Sequence, residues 1–249
     1  MRWRGLDHAR RRLRRDHADS SAGTQKGSEL DHLIPPEIKG DPFAQIIEEV
    51  AFTSGVHEIL EIGSSAGDGS TEAWVRGARR NPTLPRLHCI EVSVERHAAL
   101  VTRWSNEDFV HCYNVSSIPL ERFPSFEDVE TFYRDVPSRL RNFPLEMVLG
   151  WLQQDIDYLS DHSLSCPGIA QIKQQHGIDT FDAVLIDGSE FTGSAELDEV
   201  YGARFILLDD TETFKNWEST RRLEADSRYR LFQRDPSTRN GFAVFERLD

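Results

Sequence analysis

The chain has 249 residues, enough for one large α/β domain with insertions, because single domains commonly span about 100 to 200 residues. Its 42 acidic residues outnumber 29 basic ones, and the net charge of -13 argues against a nucleic-acid partner, whose phosphates are also negative. The chain lacks a signal-peptide pattern and any apolar run of about 18 residues, so we expect a soluble, cytoplasmic protein with no membrane partner.

The first 30 residues form a polar segment that begins with an arginine-rich run at residues 2–15. This segment shows no apolar periodicity, so we expect a flexible arm, with contact to an anionic partner as the alternative. Residues 31–249 are predicted to form the domain itself, with a helical insertion at residues 117–180. The oligomeric state stays open, a homo-oligomer included.

Short apolar runs alternate with polar or helical segments through the domain. The run FAQIIEEVAF has helical spacing, and five nearly continuous apolar runs are typical of strands buried on both faces of a parallel sheet: VHEILEI, RLHCIEV, FVHCYNV, FDAVLID and RFILLDD. Two further strands, YRLFQRD and GFAVFER, are separated by too short a segment for a crossover and must pair antiparallel. The pattern predicts a doubly wound, Rossmann-like α/β fold with a mostly parallel seven-stranded sheet and a C-terminal antiparallel hairpin.

Three cysteines, Cys89, Cys112 and Cys166, are too few and too irregular for a disulfide framework or a zinc cluster. Cys89 and Cys112 lie in apolar strand-like runs, where a free cysteine behaves as a small hydrophobic residue. A reducing compartment is therefore expected.

The first predicted strand runs into the glycine-rich stretch ILEIGSSAGDGST at residues 59–71. A phosphate-binding loop would close with Gly-Lys-Ser/Thr, which is absent here, and a dinucleotide fingerprint would space its glycines as G-x-G-x-x-G. A strand that ends in glycine can turn sharply and bring backbone amides to a ligand. An ordinary glycine-rich turn between a strand and a helix remains the alternative.

The acid, glycine and serine spacing of this stretch resembles motif I of class I S-adenosylmethionine-dependent methyltransferases, in the form of the catechol-type O-methyltransferases. This resemblance implies S-adenosylmethionine as cofactor, and the C-terminal hairpin also fits the fold of that family. The residues that it implies for cofactor binding are Glu61, Gly63, Ser64, Ser65, Gly67 and Ser70.

Two further residues at strand ends are candidates for cofactor binding. Glu91 ends the second strand about 30 residues after the turn, where nucleotide-binding α/β folds place an acid against ribose hydroxyls. Asn114 follows the third strand, where the resemblance to methyltransferases implies contact with the adenine edge.

Three carboxylates follow the fourth and fifth strands: Asp187, Asp209 and Asp210. Neighbouring strand ends lie about 5 Å apart, so these charges would repel one another unless a cation lay between them. Carboxylate oxygens suit hard divalent ions such as Mg²⁺. The alternative is that the aspartates cap the helices that follow, a position that favours Asp on its own account.

Residues 60–247 resemble the metal-dependent O-methyltransferases, both the catechol type and the macrocin type, and the acidic strand ends are part of this resemblance. The resemblance implies that the three aspartates hold magnesium, which chelates the hydroxyls of a small acceptor such as a sugar or glycosylated metabolite. Asp187 and Glu190 are the implied catalytic residues. Ser189 stands where the macrocin type has a carboxylate proposed as the base. Glu190 has the spacing of the catechol-type base lysine and is therefore the candidate base here. The segments at 59–73 and 186–211 look like a group of uncharacterised bacterial methyltransferase-like proteins.

The insertion stands over the strand ends as either a substrate wall or an added packing layer. Tyr133, Phe143 and Trp151 are aromatic residues at helical spacing that would line an acceptor pocket in the first case and form core in the second. The preferred function is a metal-assisted O-methyltransferase with a small-molecule acceptor. Its rivals are a binding module that retains the fold without catalysis and an NAD-dependent oxidoreductase, whose G-x-G-x-x-G and Tyr-x-x-x-Lys patterns are missing.

Overall fold

A computed structural model of the protein describes residues 38–248, which form a seven-stranded sheet with helices on both faces. The predicted arm at residues 1–30 lies outside the described residues. The strands are β1 (Glu58–Ile62), β2 (Arg86–Ile90), β3 (Val110–Tyr113), β4 (Ala183–Ile186), β5 (Phe205–Asp209), β6 (Tyr229–Asp235) and β7 (Phe242–Arg247). The α-helices are α1 (Pro42–Phe52), α2 (Ser70–Arg80), α3 (Val94–Trp104), α4 (Phe126–Asp135), α5 (Leu145–Asp161), α6 (Gly168–His176), α7 (Gly193–Val200) and α8 (Phe214–Ala225).

The strand order is β3-β2-β1-β4-β5-β7-β6, and the first five strands in this order are parallel. Strand β7 runs antiparallel to both β5 and β6, as the short link between the last two runs predicted. Ile62 at the end of β1 pairs with Ile90 of β2 and with Ile186 of β4. The carboxyl ends of these strands therefore lie level at one edge of the sheet. The predicted fold is confirmed.

Both faces of the sheet are covered by apolar side chains, which explains the continuous apolar runs in the central strands. On one face, Phe43 of α1 and Trp74 of α2 pack in a cluster with Leu207 of β5. On the other face, Ile172 of α6 packs in a second cluster with Phe245 of β7. Burying each large apolar side chain contributes about 1.5 to 3 kcal/mol, so this double layer fixes the strand ends firmly.

Between β3 and β4 the chain forms α4, α5 and α6, with short 3₁₀ turns at Leu120–Arg122 and Arg139–Asn142. Helices α4 and α5 share a separate apolar cluster that also includes Phe191, just after β4. The Phe143 and Trp151 rings meet edge to face at 4.9 Å, and the Tyr133 hydroxyl donates to the Phe143 carbonyl at 2.9 Å. These three aromatic residues therefore pack within the insertion.

Cys89 is buried, Cys112 and Cys166 are partly buried, and all three are free thiols. Within residues 38–248, every helix is too short or too polar to span a bilayer.

Candidate functional site

The glycine-rich turn joins β1 to α2 at the carboxyl edge of the sheet. Gly63 has φ +90°, and a Cβ on it would lie 2.2 Å from the carbonyl oxygen of Asp187. The Gly63 and Ser64 amides both donate to the Ile90 carbonyl at 3.0 Å. The turn is thus pressed directly against the chain that leaves β4, and only glycine fits at its first position.

Gly67 is also required by protein packing. It has φ +78°, and a Cβ there would lie 2.6 Å from both Leu100 Cδ1 and Trp104 Nε1 on α3. The Trp104 indole donates to the Gly67 carbonyl at 3.0 Å. The sequence pattern predicts a ligand close to these glycines, whereas the structure places protein atoms against both of them.

Glu61 lies beneath the turn and is fully buried. Its Oε2 accepts a hydrogen bond from Thr71 Oγ1 at 2.6 Å, which ties the end of β1 to the start of α2. Burial raises the pKa of this carboxyl, although neighbouring hydroxyls oppose the shift. Ser64 and Ser70 are also buried at the turn.

Glu91 reaches from the end of β2 to the turn. Its Oε2 accepts from the Ser65 amide and its Oε1 from the Ser93 amide, both at 2.7 Å. Ser65 has φ +51°, an uncommon backbone conformation that marks the turn as constrained. Burial raises the pKa of Glu91, and the Arg96 charge opposes this. Each carboxylate oxygen has a second lone-pair direction available to accept a ligand hydroxyl.

Asn114 lies beside Glu91 at the end of β3. Its Nδ2 donates to the carbonyls of Glu91 and Val92 at 2.8 and 2.9 Å. Both amide hydrogens are used in shaping the loop after β2, so a contact with an adenine edge would have to use Oδ1.

The three predicted acidic residues converge at the ends of β4 and β5. One carboxylate oxygen from each of Asp187, Asp209 and Asp210 lies within 4.8 Å of the others. Asp187 has 19% of its side chain exposed, against 2% for Asp209 and 7% for Asp210. Asp210 has φ +54°, a second constrained non-glycine residue at this edge. Of the three, Asp187 is therefore the most accessible to a ligand.

Lys215, near the start of α8, places its ammonium between two of these carboxylates. Its Nζ lies 2.9 Å from Asp187 Oδ1 and 2.7 Å from Asp210 Oδ2, and the side chain is only 5% exposed. Burial alone would lower the pKa of Lys215, but the surrounding carboxylates, Asp187 and Asp210 foremost, raise it well above its usual value. The lysine therefore stays charged.

The turn between β6 and β7 adds two further donors. Asn240 Nδ2 donates to Asp210 Oδ1 at 3.0 Å, and Arg239 Nη2 pairs with Asp209 Oδ1 at 2.5 Å. Arg239 also pairs with Asp41 at the start of α1. Asp209 is thus held by an arginine from the turn between β6 and β7, whereas Lys215 contacts the other two aspartates.

Glu190, the predicted base, lies at the edge of the same cluster, where its Oε1 accepts from the Lys215 backbone amide at 3.3 Å. The neighbouring Ser189 hydroxyl donates to Asp155 of α5 at 2.5 Å, so the insertion is fastened to the loop after β4. Behind this loop, buried Glu196 accepts from Ser117 and Thr192, and burial raises its pKa.

A divalent ion bound at this cluster would compete with Lys215, Arg239 and Asn240, which already contact Asp187 Oδ1, Asp209 Oδ1 and both carboxylate oxygens of Asp210. At about 2.1 Å from its ligands, Mg²⁺ would also lie close to the Lys215 ammonium, and like charges repel. The arrangement fits an internal ammonium, and a divalent ion does not fit beside it. Lys215 was missed in the sequence because a lysine at the start of a mostly polar helix is typical of an exposed surface.

No protein-family model and no curated protein significantly matches the chain. Among solved structures, an O-methyltransferase from Bacillus cereus in complex with SAH has a TM-score of 0.50 at 13% identity, covering 86% of this chain and 84% of that chain. A methyltransferase from Geobacter sulfurreducens has a TM-score of 0.49 at 11% identity, with 85% and 82% covered. The first similarity shows that this chain has the Rossmann-like methyltransferase fold.

Proposed function

We propose that the protein is an S-adenosylmethionine-dependent O-methyltransferase that acts on a small hydroxylated acceptor, such as a sugar or glycosylated metabolite. The observation that carries this proposal is the contact between the glycine-rich turn and the acidic strand end. Gly63 lies against Asp187, so a cofactor on the turn and an acceptor beside Asp187 would be neighbours. The Bacillus cereus protein of the same fold binds SAH.

The polar groups around the turn suit an adenosyl cofactor. Glu91 presents a nearly buried carboxylate beside Ser65, where it can accept from ribose hydroxyls while keeping its two backbone bonds. Asn114 Oδ1 is the proposed contact for the adenine edge. We assign Glu61 to support of the turn, since its carboxylate is buried beneath it and bound to Thr71. Ser64 and Ser70 complete the cradle.

When bound, S-adenosylmethionine supplies an activated methyl group, so the protein's main task is to align the acceptor oxygen with it. Asp187, as the accessible carboxylate of the cluster, would accept a hydrogen bond from an acceptor hydroxyl. Glu190 or a water molecule would take the hydroxyl proton as the methyl–oxygen bond forms and the methyl–sulfur bond breaks, with the electron pair of the broken bond staying on sulfur. Charged residues that are already fixed before binding lower the cost of this charge rearrangement.

Magnesium held by Asp187, Asp209 and Asp210 is what the sequence resemblance implies. Because Lys215, Arg239 and Asn240 engage these carboxylates, the proposed mechanism has no step through a metal ion.

Calorimetry with SAH tests the cofactor assignment, with NADH as the comparison ligand. We expect SAH to bind and NADH not to bind. A folded protein that binds NADH, or that ignores SAH, would contradict the proposal. Radiolabelled S-adenosylmethionine offered with a panel of sugars and glycosides then tests the reaction and the acceptor class.

The rival function is a module that binds ligands without methyl transfer. The structure gives it one supporting feature, because the Ser189 hydroxyl at the macrocin-type base position is occupied by Asp155. It predicts tight SAH binding but no label transferred to any metabolite of a whole-cell extract, an outcome that separates it from the transferase.

A further inference from the structure

Lys215 lies where the sequence pattern predicted a divalent cation. We propose that its ammonium replaces the metal ion, so that the charge of Asp187, Asp209 and Asp210 is balanced in part by protein cations and the cluster binds no divalent cation in the native protein. The inference concerns the binding chemistry of the cluster and stands whether or not the protein transfers methyl groups.

The ammonium makes the contacts that would define a shared ion. It bridges carboxylates from two different strand ends, Asp187 after β4 and Asp210 after β5, at 2.9 and 2.7 Å. Charge-assisted hydrogen bonds of this length between a buried lysine and carboxylates are strong, because little water competes for them. Asp187 and Asp210 thus obtain from a side chain part of the compensation for mutual repulsion that a metal would otherwise supply.

The backbone around Lys215 is built to hold it there. Next to it, Asn216 Nδ2 donates to the carbonyl of Ile186 at 3.0 Å and to that of Asp209 at 2.6 Å, which fixes the residue between the ends of β4 and β5. Gly193, at the start of α7, approaches so closely that a Cβ on it would lie 2.0 Å from the Lys215 carbonyl oxygen. The backbone of Lys215 therefore cannot move away from the cluster without disturbing two strands and a helix.

This placement explains two features of the sequence together. The glycine of the FTGSAE segment leaves room for the Lys215 backbone, and the Lys-Asn pair of the TFKN segment supplies the charge and its anchor. Both are accounted for by a resident ammonium, whereas metal ligation would require only the aspartates.

Under the proposed function, Lys215 acts as a positioning residue. It holds Asp187 next to Gly63 and supplies positive charge beside the acceptor. Unlike a bound metal ion, this charge cannot dissociate into the solution. This part of the inference rests on the proposed transferase activity, and it predicts that methyl transfer is unchanged by a chelator.

The direct test is Mn²⁺ binding, measured by electron paramagnetic resonance on the full chain, in wild type, Lys215→Met and Lys173→Met. Lys173 is the control because its Nζ donates to the Glu199 carbonyl outside the cluster. We expect Lys215→Met to bind Mn²⁺ at the cluster, the wild type and Lys173→Met to show no binding there even at about tenfold higher Mn²⁺ concentration, and a further Asp210→Asn change to abolish the site.

Equal Mn²⁺ binding by wild type and Lys215→Met would overturn the inference, and so would a folded Lys215→Met protein that binds none. If Lys215→Met does not fold, the wild type decides: Mn²⁺ binding that is lost in Asp210→Asn contradicts the inference, and its absence supports it. Failure to bind SAH would instead count against the proposed function and leave this result intact.

Discussion

Gly63 and Asp187 pack against each other, so closely that a Cβ on Gly63 would lie 2.2 Å from the Asp187 carbonyl oxygen. The Asp187 amide in turn donates to the Ile62 carbonyl at 3.0 Å. The turn after β1 and the acidic end of β4 therefore form one rigid unit. A ligand bound on the turn and a group bound by Asp187 would be held at a fixed separation, which is the requirement for an in-line transfer.

The first prediction concerns this contact. Gly63→Ala adds a methyl group in a backbone conformation that disfavours it and against a backbone that cannot move aside. Gly177→Ala is the matched control, because Gly177 also has positive φ, at +65°, but a Cβ there would meet no atom within 4 Å. We expect Gly63→Ala to lower the free energy of unfolding by about 1 to 3 kcal/mol more than the control.

Urea unfolding followed by circular dichroism measures both variants. Equal destabilisation of the two proteins would show that the turn can move away from β4, and the argument for a fixed separation would be lost.

Much of the site's position could be predicted from the sequence. The apolar runs end at Glu91, Asp187 and Asp209, and in parallel strands such ends meet at one edge. This rule alone predicts that the three aspartates lie close together. The antiparallel pairing of β7 followed in the same way from the length of one link.

The partners of these acids could not be predicted, because each comes from a distant element whose own pattern is ordinary. Lys215 lies in a mostly polar helix and Asn240 in a turn, and nothing local shows that their side chains point inward. The sequence indicates that something approaches Gly67 closely, but it does not show that the neighbour is Trp104, which lies on another helix. Close approach can be inferred from sequence, whereas the approaching atom cannot.

The second prediction tests the proposed ribose contact. Glu91→Ala should weaken SAH binding by about 1 to 3 kcal/mol, the usual cost of removing a buried hydrogen-bond partner. Glu95→Ala, at an exposed position in the first turn of α3, should leave the affinity unchanged. Calorimetry on both variants, with folding checked by circular dichroism, gives the comparison. Unchanged affinity in folded Glu91→Ala would remove the ribose assignment.

The third prediction concerns pH. His88 of β2 is buried between Glu58, at 3.0 Å, and the Tyr113 hydroxyl, at 3.1 Å. Burial lowers the pKa of His88 to about 4, while Glu58 opposes the shift and His176 and His111 add to it. The unfolded chain takes up this proton near pH 6.5 and the folded protein only near pH 4, so stability should fall as the pH drops between these values.

The expected loss approaches about 1.4 kcal/mol per pH unit for this one group. Unfolding free energies of the wild type and His88→Gln, measured from pH 7 to pH 5, isolate it, because other titrating groups are shared. If His88→Gln retains the wild-type slope, His88 takes up its proton at the same pH in the folded and the unfolded chain, which contradicts the prediction.

The last prediction concerns the anchor of Lys215. Asn216 bridges the carbonyls of Ile186 and Asp209, and Asn81 makes an equivalent pair of bonds to the carbonyls of Ala51 and Thr53, near the opposite edge of the sheet. Replacing either asparagine with alanine removes two buried donors, so both variants should lose about 2 to 3 kcal/mol of stability.

Only Asn216→Ala frees the start of α8, and it alone should permit Mn²⁺ to compete with Lys215 at the acidic cluster. Urea unfolding with Mn²⁺ resonance on the same samples separates the two effects. If both variants bind Mn²⁺, the binding comes from the lower stability of the whole protein. If the Asn216→Ala protein is destabilised but binds no Mn²⁺, Asn216 does not control the position of Lys215.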